Sequence, residues 1–313
     1  MLVDPHTPAR LYRSGWGTVY RSDDGGQMWP IAGELPLPNA CSGEGRFLVD
    51  VLQADAGQPG TLLAVGRIGC PNPLGWPEIG GIYRSTDGGL TWTDTLTSGQ
   101  VIRPAISLAY DRLTPTIAYA GTCWGGEYGS GMWKSADGGQ SWQPVGLDVP
   151  QLRDCIRSIA SEPAPPYRLF AGIVSGSAGE HTLYFSIDHG ETWQKAGLPV
   201  NWGVDTLLFT PSDPPVLYAA TDKLLRSTDG GQSWTQAAGV LGQVPVYSLA
   251  AVTATDRVIL YAGTTGGYVG GSGARALGQA NTDDTPVNAG VYRYTTRRTR
   301  SVYLPLVFKV HTQ

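Results

Sequence analysis

Short apolar runs recur along the whole chain, and turns rich in Gly, Pro, Asp and Ser separate them. Representative runs occupy residues 106–110, 117–121, 204–209 and 216–220. Each is too short for a helix, and its Val, Ile, Leu, Tyr and Phe content is typical of a buried β-strand. The regular spacing of runs and turns predicts an all-β protein built from many short antiparallel strands.

One eight-residue pattern occurs five times along the chain. Its common form is S-x-D-x-G-x-x-W, and its Asp-to-Asp spacings are 63, 50, 51 and 41 residues. The aspartates are Asp24, Asp87, Asp137, Asp188 and Asp229. The tryptophans are Trp29, Trp92, Trp142, Trp193 and Trp234. Repetition at a period of about 40–60 residues predicts an array of like units rather than several unrelated domains.

The residue types of this pattern suit a tight reversal between two strands. An Asp carboxylate accepts hydrogen bonds from backbone N–H groups of such a loop, and Gly tolerates the positive φ that the reversal requires. The Trp returns toward the core, where its ring buries about 200 Å². We therefore expect the five aspartates to be structural rather than catalytic.

The runs that flank each copy predict a four-stranded unit, which is the size of one β-propeller blade. We predict six blades within residues 1–295, with seven as the alternative, and the first blade begins within a strand. In the sixth unit residues 295–298 replace the Asp-Gly-Gly turn. The apolar tail, residues 296–313, is expected to supply a strand that closes the ring, because paired termini hide both sheet edges. An anchor or sorting signal is the alternative for this basic and apolar tail.

The repeated pattern resembles the Asp-box, also called the bacterial neuraminidase repeat. The resemblance implies a propeller of the superfamily that includes sialidases, xyloglucanase-type glycoside hydrolases, sortilin-type receptors and photosystem II assembly factors. It also implies that the boxes lie on the face of the ring away from the ligand site. A sialidase should show an Arg-Ile-Pro motif before its first box, whereas this chain has Ile-Arg-Pro at residues 102–104, after the second.

Composition narrows the function classes. The chain of 313 residues has a formal net charge of −4, and charged residues make up 15% of it. No basic field favours nucleic acid, and no apolar run approaches the roughly 20 residues of a membrane-spanning helix. We expect no bound metal, no cofactor, no nucleic-acid partner and a monomeric protein.

The four cysteines lie at one end of the predicted ring. Cys70 and Cys123 follow second strands, while Cys41 and Cys155 lie in links between blades. Second-to-third-strand loops and links share one end of an up-and-down ring, which we call the loop face; the Asp-boxes occupy the opposite box face. We predict the disulfides Cys41–Cys70 and Cys123–Cys155, with four separate thiols as the alternative.

Disulfides would place the protein in an oxidising compartment. Residues 1–5 lack the charged-then-apolar pattern of a signal peptide. We therefore expect an extracytoplasmic or secreted protein whose leader is missing from this sequence.

The longest loops are predicted on the loop face, where insertions in repeat proteins often build a binding surface. Aromatic rings there suit the C–H faces of sugars, and nearby polar groups suit the hydroxyls. The candidate ligand-binding residues are Trp16, Arg67, Trp76, Trp124, Tyr128, His181, Trp202 and Tyr268. The candidate acid and base of a glycoside hydrolase are Glu127 and Asp154, with Glu78 as a third carboxylate.

The sequence favours an exported binding or scaffold propeller that recognises a carbohydrate or a protein through its loop face. A glycoside hydrolase of the Asp-box type is the first alternative. An assembly factor for a membrane protein complex is the second. No G-x-S-x-G nucleophile motif or phosphate loop occurs, so other enzyme classes have no support.

Overall fold

The computed structural model describes residues 1–36, 46–69, 79–96, 102, 104–123, 131–147, 149–174, 182–199, 203–237, 246–253, 257–263, 286–288 and 291–297. Within these residues the chain forms six four-stranded antiparallel sheets. The strands of blade one are β1 Leu2–Val3, β2 Leu11–Ser14, β3 Thr18–Ser22 and β4 Ile31–Glu34. Those of blade two are β5 Arg46–Ala54, β6 Leu62–Gly69, β7 Ile79–Ser85 and β8 Thr93–Asp94. Those of blade three are β9 Ala105–Tyr110, β10 Ala118–Thr122, β11 Gly131–Ser135 and β12 Gln143–Val145.

The second half of the chain continues the same plan. A short 3-10 helix over Pro150–Arg153 leads into blade four. The strands of blade four are β13 Cys155–Ser161, β14 Leu169–Val174, β15 Thr182–Ser186 and β16 Gln194–Lys195. Those of blade five are β17 Thr206–Phe209, β18 Leu217–Ala220, β19 Leu224–Ser227 and β20 Thr235–Gln236. Those of blade six are β21 Ser248–Thr253, β22 Arg257–Gly263, β23 Pro286–Asn288 and β24 Val291–Arg297.

The hydrophobic core lies between successive blades rather than inside any one of them. Leu2 and Tyr12 of blade one pack in one buried cluster with Phe47 and Trp92 of blade two. Four further clusters join blades two through six in the same pairwise manner. Because the sheets of blades two to five bury both faces against their neighbours, their second strands read as nearly unbroken apolar runs.

The blades surround a central cavity of about 290 Å³. Residues of the first strands of blades two to six line it, together with Met1 and Ser14 of blade one. Blades one and six therefore face the same cavity as the blades between them. This arrangement confirms the predicted propeller, and the described residues form six blades.

Each Asp-box is the hairpin between the third and fourth strands of its blade. In the second box Ser85 Oγ donates to Asp87 Oδ1 at 2.8 Å, and Asp87 Oδ1 accepts the Thr91 N–H at 2.9 Å. The Gly89 N–H bonds to Ser85 Oγ at 2.9 Å, and Trp92 Nε1 donates to Gly89 O at 3.0 Å. The other four boxes repeat the Ser-to-Asp bond at 2.6–2.7 Å. These hydrogen bonds within the hairpin are the ones expected if the box aspartates have a structural role.

A second recurring hydrogen bond closes the turn between the first and second strands of blades one to five, on the box face. The residue after the first strand donates its N–H to the carbonyl six positions later in blades one to five. These residues are Asp4, Asp55, Asp111, Glu162 and Thr210, each buried and each followed four positions later by Pro. In blades one to three the turn also accepts a box N–H; the Gly88 N–H, for example, bonds to Gly60 O at 2.9 Å. The sequence predicted polar Pro-containing turns, but not this bond to the box.

Blade six departs from the predicted order. Its outermost strand is β23, which precedes β24 in the chain, so the sheet order is β21-β22-β24-β23. Residues 295–297, which were expected to replace the hairpin turn, belong to β24, and residues 286–288 form the separate strand β23. Without an Asp-box to reverse the chain, strand pairing continues to Arg297. The tail beyond it lies outside the described residues, so ring closure by the tail stays a prediction.

Cys123 and Cys155 form a disulfide between the end of β10 and the start of β13. It joins blades three and four at the loop face, which confirms one of the two predicted bridges. Cys41 and Cys70 lie outside the described residues.

Candidate functional site

The loop-face end of blade two brings together two of the predicted ligand-binding residues. Trp16, in the turn between β2 and β3, pairs with Leu48 of β5 as an isolated antiparallel bridge. Leu48 pairs on its other side with Arg67 of β6. Directly opposed residues in antiparallel strands project to the same face and lie about 5 Å apart, so Trp16 and Arg67 flank Leu48 about 10 Å from each other.

Trp16 is exposed although its backbone is firmly held. Its side chain is 63% exposed. The turn around it is fixed by hydrogen bonds from the Gly17 N–H to Phe47 O at 2.6 Å and from the Leu35 N–H to Gly17 O at 2.8 Å. Gly17 has a φ of 69°, which favours Gly at this sharp turn. An indole ring on a rigid turn costs little conformational entropy when a ligand covers it.

Arg67 belongs to a strand rather than to the loop in which it was predicted. β6 extends to Gly69, and the Arg67 guanidinium Nε lies 3.6 Å from Asp50 Oδ2. Asp50 is placed by a β-bulge between Val49 and Val51, where the pairing of β5 with β6 shifts register. The bulge re-aims this carboxylate toward Arg67 and the central cavity, which Asp50 lines.

A second charged pair stands at the same end of the cavity. Arg157 of β13 lies with its Nε 2.5 Å from Oδ1 of Asp205, which directly precedes β17. Arg157 is 36% exposed and Asp205 is 21% exposed, and both line the cavity. We call Trp16, Arg67, Asp50, Arg157 and Asp205 the loop-face site. This site carries one exposed aromatic ring and two ion pairs.

The box aspartates lie away from this cavity. Asp24, Asp87, Asp137, Asp188 and Asp229 are absent from the residues that line it in the described structure. Their carboxylates instead accept hydrogen bonds within their own hairpins. The boxes therefore lie apart from the central cavity in the described structure.

The remaining predicted site residues divide into two groups. Asp154 is described: it ends the 3-10 helix, and its Oδ1 accepts the Cys155 N–H at 2.9 Å beside the disulfide. The other candidates lie outside the described residues: Trp76, Glu78, Trp124, Glu127, Tyr128, His181, Trp202 and Tyr268. Their placement in the site stays a prediction.

The sequence pattern did not single out the charged residues of the first strands, which line the cavity, as site residues. Asp50 and Arg157 each interrupt an apolar strand, as in the runs 47–52 and 155–160. A charged residue inside a buried strand is uncommon, because burial of an ion is costly unless it is paired. That interruption was a usable signal that these positions face a cavity.

Within the described residues no group of three or more His, Cys, Asp or Glu side chains could hold a metal ion. The part of the chain that the structure describes also contains no helix of the length and apolarity needed to cross a bilayer.

Comparison with known proteins supports the repeat and the fold. The family profile of the BNR/Asp-box repeat matches residues 184–195, the segment around the fourth box. The chain is 32% identical over 108 residues to the VPS10 domain-containing receptor SorCS2 of Homo sapiens, covering 34% of this chain and 9% of that receptor. It is 28% identical over 148 residues to the xyloglucanase Xgh74A of Acetivibrio thermocellus, covering 41% of this chain and 17% of that enzyme.

The matched segments thus span less than a fifth of the length of these curated relatives. Among solved structures, YCF48 bound to D1 peptide is similar with a TM-score of 0.52 and 18% identity, covering 81% of this chain and 72% of that one. At this identity the similarity establishes the fold and nothing further.

Proposed function

Because the chain is an Asp-box β-propeller, we propose that it is an exported binding module whose loop face holds a carbohydrate. The exposed Trp16 ring carries this proposal. Its flat face offers an apolar platform of the kind on which the C–H surface of a sugar ring stacks. Asp50, which lines the cavity, and Arg67, its ion-pair partner on β6, supply acceptors and donors for sugar hydroxyls.

Binding without turnover is favoured by the state of the cavity carboxylates. Glycoside hydrolysis needs one carboxylic acid that gives a proton and a second carboxylate about 5–9.5 Å away. Asp50 is paired with Arg67, and Asp205 is paired with Arg157. Both carboxylates are therefore engaged by guanidinium groups rather than free to face a substrate as an acid or a nucleophile.

A glycoside hydrolase is the second candidate, supported by the 28% identity to a xyloglucanase. In that case Glu127 and Asp154 would be the acid and base, with Glu78 as a third carboxylate. A partner protein at the same face, as for an assembly factor of a membrane complex, is the remaining alternative. An extracytoplasmic location is supported by the Cys123–Cys155 disulfide, since such bonds persist mainly in oxidising compartments.

Isothermal titration with xyloglucan oligosaccharides tests the proposed site. We expect binding by the wild-type protein and a loss of at least tenfold in affinity for Trp16→Ala. The matched control is Met28→Ala on the box face, since Met28 is also a large exposed side chain, at 70% exposure. Equal affinity of the wild type and Trp16→Ala would exclude Trp16 as the platform. Failure of all carbohydrate probes would favour a protein ligand.

A further inference from the structure

Arg112 lies at the box-face end of the central cavity. It follows β9 directly, and its side chain is exposed to the cavity that it lines. Among the described residues none forms a hydrogen bond or an ion pair with its guanidinium group. The loop-face end differs, because Arg157 and Arg67 each have an aspartate partner there.

The charge on Arg112 is poorly compensated by its surroundings. The walls of the ring desolvate the guanidinium and lower its pKa. Asp111, the adjacent carboxylate, is buried and engaged elsewhere: its Oδ1 accepts the N–H groups of Leu113 and Thr114, both at 2.9 Å. Its Oδ2 lies 2.9 Å from Nδ1 of His189 in the fourth box. A partly desolvated cation that has no counter-ion in the part of the chain that the structure describes attracts an anion from solution.

Ser161 supplies a second polar group beside Arg112. The Ser161 hydroxyl oxygen accepts the Arg112 backbone N–H at 2.9 Å, and Ser161 also lines the cavity. Because that bond uses only a lone pair, the hydroxyl hydrogen is left to donate. The nearby lining residues Ala56, Pro115 and Pro211 carry no charge that would compete for Arg112.

We propose that the box-face end of the cavity binds a small oxyanion, a carboxylate or a phosphate, through the Arg112 guanidinium and the Ser161 hydroxyl. The planar guanidinium presents parallel N–H donors that match two oxygens of such a group. The cavity of about 290 Å³ has room for a small organic acid or phosphate ester. This site lies at the opposite end of the cavity from the loop-face site and does not depend on the proposed function.

Titration calorimetry at low ionic strength with inorganic phosphate, and separately with acetate, tests this inference. We expect the wild-type protein to bind at least one of them and Arg112→Gln to bind it at least tenfold more weakly. Arg112→Lys should bind with intermediate affinity, because it keeps the positive charge but loses the paired N–H donors of the guanidinium. The control is Lys195→Gln, which removes one positive charge from the exposed strand β16 and should leave the affinity unchanged.

Melting temperatures measured with and without phosphate separate binding from folding. The wild type should melt higher in phosphate, and Arg112→Gln should lose that shift while keeping its melting temperature in buffer. If Arg112→Gln does not fold, the phosphate affinities of Arg112→Lys and Ser161→Ala test the inference instead. Both variants should bind phosphate more weakly than the wild type. Absence of binding by the wild type, or equal affinity of the variants and the wild type, would overturn the inference. Trp16→Ala should still bind phosphate, which distinguishes failure here from failure of the loop-face proposal.

Discussion

At the scale of single residues, each box hairpin is held together by hydrogen bonds among its own Ser, Asp, Gly and Trp residues. Asp, Ser, Gly and Trp at fixed spacing can satisfy one another locally, so their roles were predictable without tertiary structure. The fourth box shows that the first glycine of the pattern can be replaced. His189 replaces the usual first Gly and takes a φ of 58°, while its ring reaches the buried Asp111 of the preceding blade. That contact between blades could not be predicted, because it depends on how neighbouring sheets meet.

The box carboxylates should make the fold sensitive to acid. Hydrogen bonds from the Ser233 hydroxyl and N–H lower the pKa of Asp229 to about 2, although burial acts in the opposite direction. Since this pKa lies below the usual value of 3.8, the box stabilises the fold fully above about pH 4 and progressively less as pH falls toward 2. Asp188 shifts in the same direction, to about 2.

Urea unfolding of the wild type and Asp229→Asn at several pH values measures this effect. At pH 6 the variant should be about 1 kcal/mol less stable, because it loses a charged acceptor. The difference should shrink by pH 2.5, where the wild-type carboxylate also begins to protonate. Glu34→Gln on the exposed strand β4 serves as the control and should change little. A difference that stays constant with pH would contradict the assigned role of the carboxylate.

At the scale of elements, strand number and order were predictable where the repeat is intact. Blades one to five follow the predicted sequence of strands, because each box fixes the third and fourth strands as a hairpin. The predicted strand order is wrong in blade six, where the box is lost. There the outermost strand, β23, precedes its partner β24 in the chain instead of following it. Local propensity could not show this, since only long-range pairing decides which segment completes the sheet.

The Cys123–Cys155 bridge should stabilise the seam between blades three and four. Cys123, just after β10, and Cys155, the first residue of β13, are 32 positions apart in the sequence. Closing a loop of that length restricts the unfolded chain and contributes about 3.5–4 kcal/mol. The double variant Cys123→Ser/Cys155→Ser should lose roughly that much of its free energy of unfolding in guanidinium chloride. Unchanged unfolding midpoints would show that the bridge adds nothing to this seam.

At the scale of the whole molecule, basic side chains link successive blades on the box face. Arg84 of β7 donates from Nε to Gly138 O in the next box at 2.9 Å. Lys134 of β11 reaches Glu191 of the following box at 2.6 Å. The sequence showed a basic residue before these box serines but not its target, since the target belongs to another blade. The same limitation holds at the loop face, where the sequence did not show the pairing of Asp50 with Arg67.

The predicted role of the tail belongs to this scale too. Blades one and six each have four strands without it, so the tail would stabilise the ring by covering the junction of the first and last blades. Deletion of residues 301–313 should then lower the melting temperature by several degrees, since a loss of 1 kcal/mol costs about 2–4 °C in a chain of this size. An unchanged melting temperature would favour the anchor or sorting alternative.

The most direct test of the account asks whether the loop face binds without catalysing. The wild-type protein would be applied to a glycan array and, in parallel, incubated with a panel of chromogenic glycosides. The account predicts glycan binding that Trp16→Ala abolishes, with no release of chromophore. Chromophore release that disappears in Glu127→Gln or Asp154→Asn would contradict it and identify the protein as a glycoside hydrolase.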